Sequence, residues 1–341
     1  MVGYGHIVRV GRSVAKVGVS QPVGLERVSV VMGVYNAEKE LMLTLDSLQA
    51  QQSDPLEIIV VNDGSIDGTA ELLEQWQRKD SSHRVLQQDH QGLTAALVSG
   101  CAAARGDYIA RQDAGDVSLP ERLTSEAAVL DEDESVVMVS TGARFVDAKG
   151  VPLYDVVMAG NSAMTGLEAN RASEVKGPPH HGNVMFRRDA YIAAGGYRKA
   201  FYVAQDIDLW LRLVERGRHV SLGQVLYRAH SSPSSISFNR RSAQREATHL
   251  ALLARDCRLR GESEASVLGK THEATRKRGR SGRRSLAEYH FFVAGCQRQN
   301  HPGTALRHYR QALAANPVHW RAFLRWLQCQ FSQFNRPSAV K

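Results

Sequence analysis

Cysteine is scarce and scattered. The chain has four, Cys101, Cys257, Cys296 and Cys329, with no Cys-x-x-Cys pair and no Cys/His spacing of a zinc site. A disulfide framework and a structural zinc are therefore not expected, and a reducing, cytoplasmic setting is. No apolar run approaches the roughly 20 residues that span a bilayer, so any attachment to a membrane is expected to be peripheral. Residues 1–26 carry Arg9, Arg12 and Lys16 without an apolar h-region. They are expected to form a flexible extension, not a secretory signal. Two nucleotide-binding motifs are missing as well. Gly33-Val34-Tyr35-Asn36-Ala37-Glu38 follows the first apolar run without the glycines of a dinucleotide fingerprint, and no Walker lysine motif occurs.

What is present is an ordinary globular composition with an uneven charge. The 341 residues are 43% apolar and 23% charged, enough for a substantial core and two domains. From Met1 to Asn239 there are 23 Lys+Arg against 29 Asp+Glu, a net of −6. From Arg240 to Lys341 there are 20 against 6, a net of +14. The whole basic excess lies in the last hundred residues, which points that region toward an anionic partner. A partner that is specifically nucleic acid is not expected, because the arginines come with no aromatic platform and no nucleic-acid motif.

Apolar runs alternate with helical patterns, which predicts βαβ units and a mostly parallel sheet flanked by helices. Val28–Val34, Leu56–Val61, Arg84–Gln87 and Asp107–Arg111 read as strands. Ala37–Gln51, Gly68–Arg78 (with Asp67 as N-cap) and Thr94–Arg105 read as the helices between them. Pro120 opens another helix. Val136–Val139 and Asn183–Phe186 read as further strands and Ile207–Arg216 as a helix, while Thr141–Pro179 carries no readable pattern. From Arg240 onward the sequence is helical and basic, with Arg276–Arg284 composed like a solvated linker. Within it His301–Arg325 reads as a helix, a turn at Asn316-Pro317 and a second helix.

In open α/β sheets the ligand sits beyond the C-terminal strand ends. Here those ends carry Tyr35-Asn36, Asn62-Asp63 and Asp113. Any one could merely cap the next helix, but all three lie on one rim. Val28–Glu38, Ile58–Thr69 (IIVVNDGSIDGT), Gly92–Leu123 (GLTAALVSGCAAARGDYIARQDAGDVSLPERL) and Gln205–Leu213 (QDIDLWLRL) occur in the order seen in family 2 glycosyltransferases, which this chain resembles over about Val28 to His230.

The resemblance implies a GT-A fold and inverting transfer from a nucleotide-sugar to a hydroxyl of a glycan or lipid-linked acceptor. It implies a nucleotide-binding half at 27–125, an acceptor half at 126–239 and a separate basic helical region at 240–341. Val34, Tyr35, Glu38, Asp63, Gly92, Asp113 and Arg228 match nucleotide-binding positions. Asp63 matches the residue that accepts from a uracil N–H in members using UDP, as a carboxylate is suited to do. Asp113-Ala114-Gly115-Asp116 matches the metal-binding turn, where Mn2+ or Mg2+ neutralises the departing diphosphate. Asp113 and Asp116, with His230 of Tyr227-Arg228-Ala229-His230, are the implied ligands. Asp206 matches the general base, and His180, Gln205 and Asp208 match acceptor-side positions.

The chain departs from the family pattern at Asn62, Gln205 and, above all, Gly115, which stands where a carboxylate is usual. Three consequences stay open: a metal held by Asp113 and Asp116 alone, weak metal dependence with Arg or His groups sharing the charge, or an inactive GT-A domain acting as a scaffold through its helical tail. In that tail Trp320, Phe323, Trp326, Leu327 and Phe331 alternate with Arg321 and Arg325. They could form core, or a membrane-surface helix on an anionic inner leaflet.

Overall fold

The computed structural model describes residues 25–51, 57–158, 166–233, 240–275 and 282–334. The expected extension before Leu25 and most of the expected linker lie outside them. At Leu25 the chain is already buried in the core.

Strands β1 (Val28–Val34), β2 (Glu57–Asp63), β3 (His83–Gln88) and β4 (Tyr108–Arg111) pair in parallel in the order β3-β2-β1-β4. Between them run helices α1 (Leu41–Gln49), α2 (Thr69–Gln77) and α3 (Leu93–Ala103). β1, β2 and β4 are covered on both faces, which is why β1 and β2 read as continuous apolar runs, while β3 at the edge is mixed and half-buried. Val31, Ile59, Val61 and Ile109 pack on one side, and Val28, Val30, Met32, Ile58 and Val60 on the other. The small residues of α3 let it lie close on the sheet. A side chain at Gly100 would meet Val31 Cγ1 at 2.6 Å. The expected cap of α2 is displaced by one residue. Gly68 holds the N-cap position, while Asp67 accepts from the Thr69 N–H at 3.1 Å and still satisfies a first-turn donor.

The second half of the sheet is mixed. After β5 (Val117–Ser118) and α4 (Arg122–Glu132) come β6 (Val136–Val146), β7 (Pro152–Val156), β8 (Val184–Arg187), α5 (Arg188–Ala193), α6 (Gln205–Leu213) and β9 (Arg218–His230). β8 lies antiparallel between β4 and β6, β9 runs parallel to β6, β5 closes the far edge against β9, and β7 pairs only with β6. β6 is far longer than its apolar start suggests, and β5, β7 and β9 carry too mixed a pattern to be read beforehand. β9 buries His219 and Ser221 beside Ser140, so polar residues sit where an apolar alternation would mark a strand.

The basic region is helical: α7 (Arg241–Leu259), α8 (Ala265–Thr275), α9 (Gly282–Gln297), α10 (Pro302–Ala315) and α11 (Trp320–Phe334). Gly282, Arg283 and Arg284, expected in a linker, form the first turn of α9. Ala243, Ala247, Ala251 and Leu252 of α7 enter the same cluster as Leu209, Leu211 and Leu213 of α6. Helix α9 docks on β7, with Val293 and Tyr289 around Leu153 and Gln297 Nε2 donating to the Pro152 carbonyl at 2.8 Å. Helices α9, α10 and α11 share a cluster of Ala294, Ala305, Tyr309, Ala312 and Ala322. Among the described residues, no helix is long and apolar enough to cross a membrane.

A chain of ion pairs fastens α6 to the helices after it. Asp208 is buried and pairs with Arg212 at 2.6 Å and with Arg198. Arg198 reaches Glu264, and Glu264 pairs with Arg258 at 2.8 Å. Removing one member of such a network leaves the others charged and dry. Asp208→Asn should therefore cost about 3 kcal/mol or more of folding stability; urea unfolding measures this, and a loss within experimental error would mean the network is not closed as described.

Candidate functional site

The metal-binding turn follows β4 directly. On a strand, residues two apart share a face, and Arg111 thereby lies under Asp113. The Arg111 guanidinium is fully buried and donates from Nη2 to Asp113 Oδ1 at 2.8 Å. Burial by itself would raise the Asp113 carboxyl, but Arg111, with His181 and His180, outweighs it and holds Asp113 below the usual range.

Asp116 lies deeper. Its Oδ1 accepts from the His230 backbone N–H at 2.8 Å, and its Oδ2 accepts from the Tyr227 hydroxyl at 2.9 Å. Burial pushes its carboxyl up to about 6, with His180 opposing and the charge of Asp113 adding. The Tyr227 hydroxyl also accepts from the Asp113 N–H at 3.3 Å, and the Arg122 guanidinium lies 5.0 Å from the centre of its ring.

Gly115 has φ +89, and its N–H donates to Thr44 Oγ1 at 2.9 Å. Beyond its chain neighbours, a Cβ there would first meet Glu40 of the loop before α1, at 3.4 Å. Glycine thus suits the left-handed backbone of this turn.

The ligand atoms of Asp113, Asp116 and His180 lie within 4.8 Å of one another, the only such group of His, Cys, Asp and Glu among the described residues. His180 Nδ1 is 3.8 Å from Asp113 Oδ2 and 3.6 Å from Asp116 Oδ2, too far for hydrogen bonds. It accepts instead from the Gly182 N–H at 3.1 Å, which identifies Nδ1 as the unprotonated nitrogen. Three acceptor atoms therefore converge, the carboxylate oxygens with lone-pair capacity to spare, a set that fits a divalent cation. The side chain of His230, expected as a ligand, is not in this group, although its ring lies against the same turn and hydrogen-bonds to the Gly115 backbone.

Asp206 stands in the first turn of α6, its Oδ1 accepting from the Ile207 N–H at 2.9 Å. Burial raises its carboxyl above the ordinary range despite that bond and one from its own amide, and the negative charge of Asp113 adds to the rise. The two carboxylates are thus near enough to interact electrostatically. Gln205 is buried beside it, whereas Asp208 is turned into the Arg198/Arg212 pairs and away from an acceptor.

At the other end of the rim, Tyr35 follows Val34 and is half exposed, stacked on His90 with ring centres 4.0 Å apart. Glu38 accepts from the Gly68 N–H at 3.2 Å, tying the β1 and β2 loops together. Asp63 is nearly saturated. Oδ1 accepts from Gln88 Nε2 at 2.6 Å and the Gln91 N–H at 2.9 Å, and Oδ2 accepts from the Gly92 N–H at 2.8 Å with His90 Nδ1 at 2.9 Å. Asp63 therefore shapes the loop entering α3, and a base N–H that reaches it must displace one of these donors. Gly92, at φ +91 and against the Tyr202 ring, completes that loop.

Sequence reasoning passed over Arg111, Arg122 and the hydroxyl of Tyr227. Arg111 had a usable signal, a charge closing an apolar strand two residues before Asp113. Arg122 and Tyr227 lie within motifs the sequence does mark, Gly92–Leu123 and Tyr227-Arg228-Ala229-His230, but the partners of the Tyr227 hydroxyl, Asp113 and Asp116, are far along the chain.

Residues 29–194 match the profile of the family described as Glycosyl transferase family 2. The putative glycosyltransferase EpsE of Bacillus subtilis (strain 168) is 34% identical over 68% of this chain and 82% of that protein. The amylovoran biosynthesis glycosyltransferase AmsE of Erwinia amylovora is 27% identical over 62% of this chain and 79% of that protein. In structure the chain resembles S. aureus TarS 1–349 in complex with UDP-GlcNAc, with a TM-score of 0.54, 17% identity and coverage of 92% of this chain and 95% of that one. It also resembles the mannosyltransferase PcManGT from Pyrobaculum calidifontis in complex with GDP-Man and Mn2+, at a TM-score of 0.50 and 18% identity, covering 91% of this chain and 81% of that one. With the curled sheet, the acidic turn after β4 and a relative matched over most of its length, the chain belongs to glycosyl transferase family 2 and is a glycosyltransferase with a GT-A fold.

Proposed function

We propose that this enzyme transfers a sugar, with inversion, from a UDP-sugar to a hydroxyl of a glycan or lipid-linked acceptor during the synthesis of a cell-surface polysaccharide. The observation that carries this is the placement of Asp206, a half-buried carboxylate in the first turn of α6 whose affinity for a proton is raised and which feels the charge of Asp113. Relatives named for amylovoran and O-antigen biosynthesis support the choice of acceptor class.

The donor nucleotide lies along the ends of β1, β2 and β4. The base sits at the Tyr35 and Asp63 end and the diphosphate over Asp113–Asp116, with Arg228 as a further phosphate contact. The acceptor hydroxyl approaches from the side of Asp206, Gln205 and His180. As its oxygen bonds to the anomeric carbon, Asp206 takes the hydroxyl proton and the bond to the diphosphate breaks on the opposite face. A divalent ion held by Asp113 and Asp116 would supply charge neutralisation for the departing diphosphate. Arg111 keeps Asp113 ionised for that duty, and Tyr227 and His230 hold Asp116 in place.

The basic helical region serves as a peripheral membrane contact on the cytoplasmic side. Trp320 and Phe323 of α11 are 64% and 48% exposed and, with Leu324, share one helical face. Arg321 lies over the Trp320 ring, 5.3 Å from its centre, and Arg325 follows one turn on. Trp326, in contrast, packs on the α9–α10 cluster. An exposed apolar stripe within a region of net charge +14 suits an anionic bilayer surface.

A thermal-shift screen of nucleotide-sugars would identify the donor, since a ligand that binds only the folded state raises its apparent stability. With that donor, Asp206→Asn should lower transfer by about 10²–10⁴-fold while nucleotide affinity stays near wild type; wild-type turnover in the variant would refute the assignment. Because the base acts deprotonated and its carboxyl is raised, kcat/KM should rise with pH on an acid limb above the ordinary aspartate value of 3.8. For the membrane contact, the protein should co-sediment with phosphatidylglycerol-rich vesicles and not with pure phosphatidylcholine. The double substitution Trp320→Ser/Phe323→Ser should weaken that binding, and equal sedimentation of the variant would count against α11.

A further inference from the structure

We propose that His180 is the third protein ligand of the metal site, in place of the carboxylate that position 115 lacks, and that it biases the site toward Mn2+ and Co2+ over Mg2+. The inference rests on the transferase reading above, but concerns which of this chain's atoms hold the ion.

Four observations carry it. Position 115 is a glycine in the left-handed region, so this turn carries no third carboxylate between Asp113 and Asp116. His180 Nδ1, whose lone pair accepts from the Gly182 N–H, lies 3.8 Å from Asp113 Oδ2 and 3.6 Å from Asp116 Oδ2. The ring is held there: it stacks on Tyr227 with centres 5.4 Å apart, and the Phe145 ring meets it edge-on at 5.9 Å. The loop that carries it is anchored as well, because the His180 N–H donates to Asn183 Oδ1 at 3.3 Å and Asn183 Nδ2 donates to the Thr141 carbonyl at 2.6 Å.

Each of the other two ligands is braced from behind. Asp113 Oδ1 is gripped by Arg111, and Asp116 Oδ1 by the His230 amide. Outer partners that fix ligand orientation in this way are what a metal site requires. Binding an ion asks His180 to exchange the Gly182 N–H for the metal, the loss of one neutral hydrogen bond at a residue that needs no proton removed. An imidazole nitrogen among two carboxylates is a softer donor set than oxygen alone, and first-row transition ions accept it where Mg2+ prefers oxygen.

The test is Mn2+ binding to the full chain, with the metal alone as probe. Free Mn2+ is counted by continuous-wave EPR, and the bound ion is examined by pulsed EPR for coupling to a 14N nucleus. The wild type should bind Mn2+ more tightly than Mg2+ and show imidazole 14N coupling. His180→Gln should lose that coupling and at least about tenfold in Mn2+ affinity, and His180→Asp should recover affinity while narrowing the gap to Mg2+. Melting curves of each variant establish that it is folded, and the spectrum of the wild type needs no variant at all. Bound Mn2+ without 14N coupling, coupling that persists in His180→Gln, or no Mn2+ binding would overturn the proposal. None of these outcomes touches the role of Asp206, which the transfer assay tests by itself.

Discussion

The hydroxyl of Tyr227 donates to Asp116 and accepts from the backbone of Asp113, so one oxygen on the last strand of the sheet sets both carboxylates of the acidic turn. Everything around it is arranged to keep it there. Arg122 lies over its ring, His180 stacks on it, and Gly182 leaves room that even a methyl group would close. β9 is positioned by its parallel pairing with β6 and its short antiparallel pairing with β5. The mixed half of the sheet is thus what delivers Tyr227, and the parallel half is what delivers Asp113. Where the two halves meet, the site forms.

Burial decides how the carboxylates there divide their work. Asp113 has a buried guanidinium against it and stays ionised, whereas Asp116 and Asp206 have none and hold protons more tightly. Asp113, which must carry charge toward a diphosphate, and Asp206, which must accept a proton, need those opposite tunings, whereas at Asp116 a bound cation would have to displace the proton. Beneath them Arg122 and Glu126 form a fully buried pair, in which burial lifts the Glu126 carboxyl to about 7. Dry ion pairs of this kind add little net stability but are costly to break, so they hold α4 under the turn in one register.

The helices after Arg240 join this core at two places of different character. Helix α7 shares the apolar cluster of α6 and is tied to it by the Asp208–Arg198–Glu264–Arg258 pairs, which places the helix bearing Asp206 between sheet and tail. Helices α9 to α11 form their own small cluster and touch the sheet through β7. That second contact leaves one face of α11 uncovered, with Trp320 and Phe323 on it.

The alternation of apolar runs and helical spacing determined the parallel half of the sheet, because its central strands are buried on both faces and each helix lies between its own two strands. The same logic made Asp63, Asp113 and the Gln205–Leu213 helix legible, since strand ends and helix starts are local features. Only the tertiary structure decided what these residues touch. Asp63 is filled by Gln88, Gln91 and Gly92; Asp208 is taken by two arginines; His180, not the side chain of His230, reaches the carboxylates. Those outcomes depend on β6, β7 and β9, whose polar or half-exposed residues blur the alternation, and on pairings between segments as distant as Asp116 and Tyr227. A sequence names the groups that can do chemistry where the backbone turns, but which lone pairs remain free is settled by neighbours that only folding brings near.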